Sequence, residues 1–218
     1  MAQQHDASGS ACRRLNTADI AQVASIHSAA FPGGTLTAFG GRCLEQFYAW
    51  HMEGKHAIAA IGLERGGALI GYCILLRRND FGGFLRRAFL TIAGRLLQSP
   101  SLALRSGFVP RLRGGLSLVA GRGGATSQPD VIRILAIAVH PSFQGQGFGP
   151  VLLRAATAIA REQGAASLAL SVHPKNERAL RAYARDGWER VLVDGVFAGS
   201  MRKSLRKSAV KMPAISVL

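Results

Sequence analysis

The run Val139-His140-Pro141-Ser142-Phe143-Gln144-Gly145-Gln146-Gly147-Phe148-Gly149 sets the frame for the whole chain. It follows a stretch rich in β-branched residues, Val131 to Val139. It precedes a helix from about Gly149 to Gln163 with Val151, Leu152, Ala155 and Ile159 on one side. A strand that enters a glycine-rich loop and leaves as an amphipathic helix aims unpaired amide N–H groups at whatever lies over the loop. Glycine has no Cβ, so a ligand approaches the backbone closely, and the helix start adds the positive end of its dipole. Residues Gln144 to Gly149 therefore predict a cradle for a pyrophosphate. Two common phosphate loops do not fit. A Walker loop requires Gly-Lys-Ser/Thr, which is missing, and a dinucleotide fingerprint requires G-x-G-x-x-G, whereas these glycines run G-x-G-x-G.

The flanking sequence supplies a sheet and its covering helices. After a polar start, residues 1–10, read as disordered, Ala11 to Leu15 is a short strand, and Asn16 with Asp19 three residues on has the form of a helix cap. Ile20, Val23, Ile26 and Ala30 mark a helix that stops at Phe31-Pro32-Gly33-Gly34. A second helix, from about Gly40 to Glu53, holds Leu44, Phe47, Tyr48 and Met52, with its aromatics read as core. Ala57 to Leu63 and Ala68 to Leu76 flank Glu64-Arg65-Gly66-Gly67 as a hairpin. Downstream come a strand from Leu168 to Val172, a helix from Asn176 to Arg185, and a closing hairpin around Asp194-Gly195. These elements set hairpins around one strand–helix–strand unit. One domain covers residues 11–205, with an insertion at about 77–129 between the third and fourth predicted strands and a basic tail at 206–218. A chain of 218 residues is long enough to bury such a core.

Read as Q/R-x-x-G-x-G/A, Gln144-Gly145-Gln146-Gly147-Phe148-Gly149 resembles the acyl-coenzyme A loop of the GCN5-related N-acetyltransferases, the GNAT superfamily. Ile137-Ala138-Val139-His140-Pro141 before it and Leu152-Leu153 after it share the resemblance. So does Asn176-Glu177-Arg178-Ala179-Leu180-Arg181-Ala182-Tyr183 with Gly187-Trp188, which is similar to the family's N-x-x-A-x-x-x-Y and G-F motif. Met201 to Leu205 looks like its last strand. The resemblance implies an α/β (α+β) fold with a mixed, mostly antiparallel sheet flanked by helices. It also implies an acetyl-CoA-dependent N-acetyltransferase that acts on a small amine by direct attack and needs no metal. It places the pantetheine arm along the backbone of Ile137, Ala138 and Val139 and the pyrophosphate on the amides of Gln144, Gly145, Gln146, Gly147, Phe148 and Gly149. Asn176 matches the residue that contacts the cofactor arm, and Tyr183 matches the tyrosine that protonates the departing thiolate.

The catalytic base departs from the family pattern. Where many relatives carry a strand carboxylate, Arg133 or Leu135 stands here, and where the ribosomal-protein alanine acetyltransferases carry a glutamate, Ser171 stands. Protein N-terminal acetylation is disfavoured on that ground. Asp130, His173, His51, His27 or a water relay can supply the base, and each side chain has a bland reading as a turn, solvated or core residue. His140 reads as a strand end. Tyr183 reads as the acid, with a packing aromatic as its alternative. A catalytically silent acyl-CoA-binding module is the second reading.

Charge bears on partners. Twenty-seven Lys and Arg against 12 Asp and Glu give a net charge of +15, concentrated in the insertion and the tail. The insertion holds nine arginines and one acid, Asp80, among apolar residues, which predicts short basic amphipathic helices. Such helices suit an anionic membrane surface, an acidic substrate, a lid over the acceptor cleft or a homodimer contact. The insertion's aromatics are Phe81, Phe84, Phe89 and Phe108 without Tyr or Trp, so nucleic acid is disfavoured. Three cysteines without a CxxC pair and a start without an apolar segment predict reduced thiols and a cytoplasmic location.

Overall fold

The computed structural model describes residues 5–6, 9–104 and 130–206. Its strands are β1 (His5–Asp6), β2 (Ser10–Arg14), β3 (Ala57–Arg65), β4 (Ala68–Leu76), β5 (Val131–Val139), β6 (Ser167–Ser171), β7 (Glu189–Val193) and β8 (Val196–Ser204). They form one sheet in the order β1-β2-β3-β4-β5-β6-β8-β7. Three pairs, β1–β2, β3–β4 and β7–β8, are joined by turns too short for a crossover and so run antiparallel. The β5–β6 pair is parallel, and the helix between those strands makes the crossover. The predicted mixed, mostly antiparallel sheet is observed.

Helices α1 (Ile20–Ala30), α2 (Thr35–Ala38), α3 (Gly41–Glu53), α4 (Phe81–Arg87), α5 (Phe89–Gln98), α6 (Ser101–Leu104), α7 (Phe148–Glu162) and α8 (Glu177–Arg185) surround it. Each face of the sheet buries its own cluster. On one, Ile61, Leu63, Ile132 and Leu168 meet Leu152, Ala156 and Ala160 of α7. On the other, Tyr72, Ile74 and Leu76 meet Val23 and Ile26 of α1 and Leu44 and Phe47 of α3. β4 feeds both layers, with Ile70, Cys73 and Leu75 in the first cluster, and each Val, Leu, Ile or Phe side chain stabilises the fold by about 1.5–3 kcal/mol when fully buried.

Local signals act as the residues dictate. Asn16 Oδ1 accepts from the Ala18 amide at 2.8 Å, while Asp19 Oδ2 accepts from the Asn16 amide at 2.8 Å. This capping box starts a single 3-10 turn, Thr17–Asp19, that runs into α1. Gly66 and Gly67 take φ of +57° and +77° at the β3–β4 turn, as a tight hairpin of this hand requires.

Two features differ from the sequence reading. The insertion follows the fourth strand, because His5–Asp6 adds one by pairing with Ala11 and Ser10. The turn helix α2 went unread, its four residues being too few for a periodic signal. Of the insertion's helices, α4 turns Phe84 inward to an edge contact with Phe47, 5.1 Å between centroids, and leaves Arg86 and Arg87 exposed. The readings of residues 1–4, 7–8, 105–129 and 207–218 lie outside the described residues. Among the described residues no helix is long and apolar enough to cross a membrane.

Candidate active site

The parting of β5 from β6 opens the site. They pair from Val131↔Ser167 to Arg133↔Ala169 and no further. Beyond that, β5 stays with β4 as far as Val139↔Gly71, and β6 stays with β8 as far as Ser171↔Ser200. Each strand follows its other neighbour, so a wedge opens and the β6-facing backbone of β5 from Leu135 onward has no strand partner. A bulge marks the same place: Ile74 faces Ala136 and Leu75 faces Ile134, leaving Leu135 as the extra residue.

The outer end of the wedge is a cavity of about 570 Å³. Ile137, Ala138 and Val139 form one wall, Gln144, Gly145, Gly147, Phe148 and Gly149 the end, and Asn176 and Tyr183 the opposite wall. Ten of the predicted residues thus meet in one cleft. Gln146 is the exception: its Oε1 accepts from Arg65 Nη1 at 3.0 Å and its Nε2 donates to the Ser142 carbonyl at 3.3 Å, so it braces the loop. Gln144 also braces, donating from Nε2 to the Val139 carbonyl at 2.9 Å and accepting from Arg178 Nη1 at 3.1 Å. Asn176 Oδ1 caps α8 by accepting from the Ala179 amide at 3.1 Å.

An anion fits this end. Gly145 and Gly147 have φ of +81° and +84°, a conformation that other residues rarely adopt. Gly147 is the N-cap of α7, no side chain caps it, and the first turn holds no acid, so its amides are left for a ligand. Arg178, Arg181 and Arg185 of α8 reach the same cavity. Sequence reasoning missed these cations, although their helical spacing was the available signal. A diphosphate with an elongated arm fits both the uncapped amides and the open edge of β5.

A second cavity of about 560 Å³ adjoins the first and shares Phe31, Ile137, Asn176, Ala179 and Tyr183 with it. Phe81, Phe84 and Leu85 of α4 and Ile92 of α5 wall it, together with Phe39, Phe47 and Leu135. Phe47 is thus both core and cavity lining, whereas the sequence reading made it core alone. Tyr183 stands where the cavities meet, its ring tilted against Trp188 at 5.9 Å. Burial pushes its hydroxyl up to about 12, so it keeps its proton across the physiological range.

Of the candidate bases, the structure brings two to this cavity. His27 and His173 line it, as does Ser171. His51 does not: its Nδ1 lies 2.8 Å from the Phe47 carbonyl and its Nε2 3.0 Å from Asn79 Oδ1. Asp130 is exposed beside Arg206, 3.7 Å away, and lies outside both cavities. His27 also belongs to a network that sequence reasoning missed. Its Nδ1 is 2.6 Å from the Tyr48 hydroxyl and 3.2 Å from that of Tyr72, and those hydroxyls are 2.6 Å apart. Burial lowers His27 to about 4, which keeps it neutral at pH 7, and raises both tyrosines. These residues lie 21 to 45 positions apart, beyond any sequence pattern.

A splayed strand edge beside an uncapped helix start, with a second cavity meeting the first at one tyrosine, is the architecture of an acyltransferase. The Acetyltransferase (GNAT) family profile matches residues 20–188, and the chain belongs to that family. Mycothiol acetyltransferase of Rhodococcus jostii (strain RHA1) is 34% identical over 71 residues, 33% of this chain and 23% of that protein. The chain thus matches about a quarter of that relative's length. Among solved structures, the ribosomal-protein-S18-alanine N-acetyltransferase of Escherichia coli aligns at a TM-score of 0.55 with 17% identity, covering 93% of this chain and 98% of that one. The protein yncA of Salmonella typhimurium, solved with its cofactor acetyl-CoA, aligns at 0.56 with 15% identity, covering 92% and 96%. The N-acetyltransferase of Staphylococcus aureus Mu50 aligns at 0.59 with 12% identity, covering 91% and 100%. At these identities the likeness is one of fold.

Proposed function

We propose that the protein transfers an acetyl group from acetyl-CoA to a primary amine of a small molecule by direct attack in a ternary complex. The observation that carries the reading is the meeting of a cleft suited to an anion and a largely apolar cavity at Tyr183. The amides from Gln144 to Gly149 and the guanidinium of Arg178 hold the diphosphate. The unpaired edge of β5 near Ile137 and Val139 bonds the amide-rich arm, and Asn176 borders it from the other wall. Acetyl-CoA supplies an activated acyl group, and a backbone N–H of β5 polarises its carbonyl oxygen. Tyr183 donates its proton to the departing sulfur, and His27 or a water collects the proton lost by the amine.

A thiol-release assay with calorimetry tests this reading. Heat on adding coenzyme A and thiol release that requires an amine are expected; binding without turnover on any amine would leave a silent acyl-CoA-binding module. A second reading adds membrane association. Phe89, Leu90 and Leu97 of α5 are 65%, 82% and 84% exposed, beside the exposed Arg86 and Arg87. Salt-sensitive binding to anionic vesicles, lost in Leu90→Ser with Leu97→Ser, is the corresponding outcome.

A further inference from the structure

We propose that the acceptor is an arylamine, an uncharged amine on an aromatic ring, seated in the cavity beneath α4 and α5. The inference rests on the acetyl transfer proposed above and names its acceptor class.

The argument begins with what lines the cavity. Among the described residues the lining has no Asp, Glu, Lys or Arg. A protonated amine entering here finds no carboxylate, and an unpaired charge in an apolar site costs several kcal/mol. Rings can hold a cation by their faces, but acyl transfer needs the nitrogen lone pair free, so a cation must also shed a proton into an apolar site without a carboxylate. An alkyl amine of lysine-like basicity is neutral in only about one molecule in 10³ at pH 7. An arylamine delocalises its lone pair into the ring and arrives neutral.

The shape agrees with the charge. Phe47 meets Phe84 edge-on at 5.1 Å and Phe81 meets Phe84 at 5.7 Å, while Phe31 and Phe39 lie across the cavity's other walls. Such a set of faces and edges receives another ring in the offset or T-shaped contacts that aromatic rings prefer. A volume of about 560 Å³ holds a compact acceptor of one or two rings. The polar lining comprises His27, Thr35, Asn79, Ser171, His173, Asn176 and Tyr183, of which Asn176 and Tyr183 also line the neighbouring cleft.

The missing strand carboxylate then has a chemical account. A neutral nucleophile needs no base before attack. Its lone pair forms the N–C bond, the C–S bond breaks with its electron pair going to sulfur, and sulfur takes the Tyr183 proton. The proton released by nitrogen passes through neutral His27 or water and restores the tyrosine. Amine and thioester give amide and thiol, with no net proton consumed.

The test compares 4-methylaniline with benzylamine, two acceptors of equal size, as substrates of the full chain with acetyl-CoA. At pH 7, kcat/KM for 4-methylaniline is expected to exceed that for benzylamine at least about tenfold, the small neutral fraction and unpaired charge of benzylamine outweighing the weaker nucleophilicity of the arylamine nitrogen. The arylamine profile is expected to stay level from pH 6 to 9, while the benzylamine rate rises close to tenfold per pH unit. Ile92→Glu, which puts a carboxylate into the cavity wall, should reverse the preference while leaving the heat of coenzyme A binding unchanged. Preference of the wild-type protein for benzylamine, or transfer of the octanoyl group from octanoyl-CoA to an alkyl amine with no transfer to any arylamine, overturns the inference, the latter by making the cavity an acyl-chain site. Failure to bind coenzyme A would instead remove the acetyl-transfer reading beneath it.

Discussion

Single side chains carry the chemistry here through their surroundings. Tyr183 is packed on Trp188 and spans both cavities, so Tyr183→Phe removes one hydroxyl and keeps the ring contact. We expect kcat to fall about 10²-fold or more with coenzyme A affinity unchanged, as for the loss of a general acid. Because burial pushes that hydroxyl up to about 12, kcat for an arylamine should show no alkaline decline up to pH 10. His27 gives a stability signature. Folded, it protonates at about 4, and unfolded at about 6.5, so on acidification the unfolded chain takes the proton first. The His27 contribution is full above pH 6.5 and is lost as pH falls through 4, amounting to about 3 kcal/mol. Denaturant melts at pH 7 and pH 4 should therefore differ less in His27→Gln than in the wild-type chain, by up to that amount.

Elements contribute through their ends. The start of α7 is open to an anion because Gly147 leaves its first turn without a side-chain cap. A Cβ at Gly147 would meet nothing within 4 Å in the protein, so Gly147→Ala costs mainly the strain of a positive φ, about 1–2 kcal/mol. It also fills space over the loop amides, and calorimetry should show coenzyme A binding weakened at least tenfold. At the start of α1, Asn16→Ala removes the cap on the Ala18 amide, with about 1 kcal/mol lost in thermal or denaturant melts. The coenzyme A affinity of this variant should be unchanged, since Asn16 lines neither cavity.

At the scale of the molecule, the sheet holds two cores apart and lends one strand to both. Cys73 lies in the cluster beneath α7 and Cys43 in the cluster beneath α1 and α3, each buried. Burial raises the Cys43 thiol to about 11 and the Cys73 thiol further, so neither is a thiolate at neutral pH. A chromogenic disulfide reagent should find at most one fast thiol in the native chain and three after unfolding. Slow appearance of the other two at one common rate would mark unfolding of both layers as a unit. The insertion joins the second layer through Phe84, and its residues Phe81, Phe84, Leu85 and Ile92 form one wall of the second cavity.

The sequence by itself determined what lies within one turn or one element: the Asn16 and Asp19 cap, the glycine hairpin at 66–67, and the strand–loop–helix unit from Val131 to Glu162. Their causes are local, namely a side chain reaching two or three residues along, a positive φ, or a period of two or 3.6. Most of the cofactor cleft was legible for that reason, since the loop and the Asn176 to Tyr183 helix are contiguous motifs. The acceptor side was not. Where β5 and β6 part depends on which neighbours hold each strand, and the meeting of His27 with Tyr48 and Tyr72 depends on how α1 and α3 settle on β4. Those are long-range outcomes of packing and register, and they left His51 and Asp130 away from the cavity while placing His27 in it.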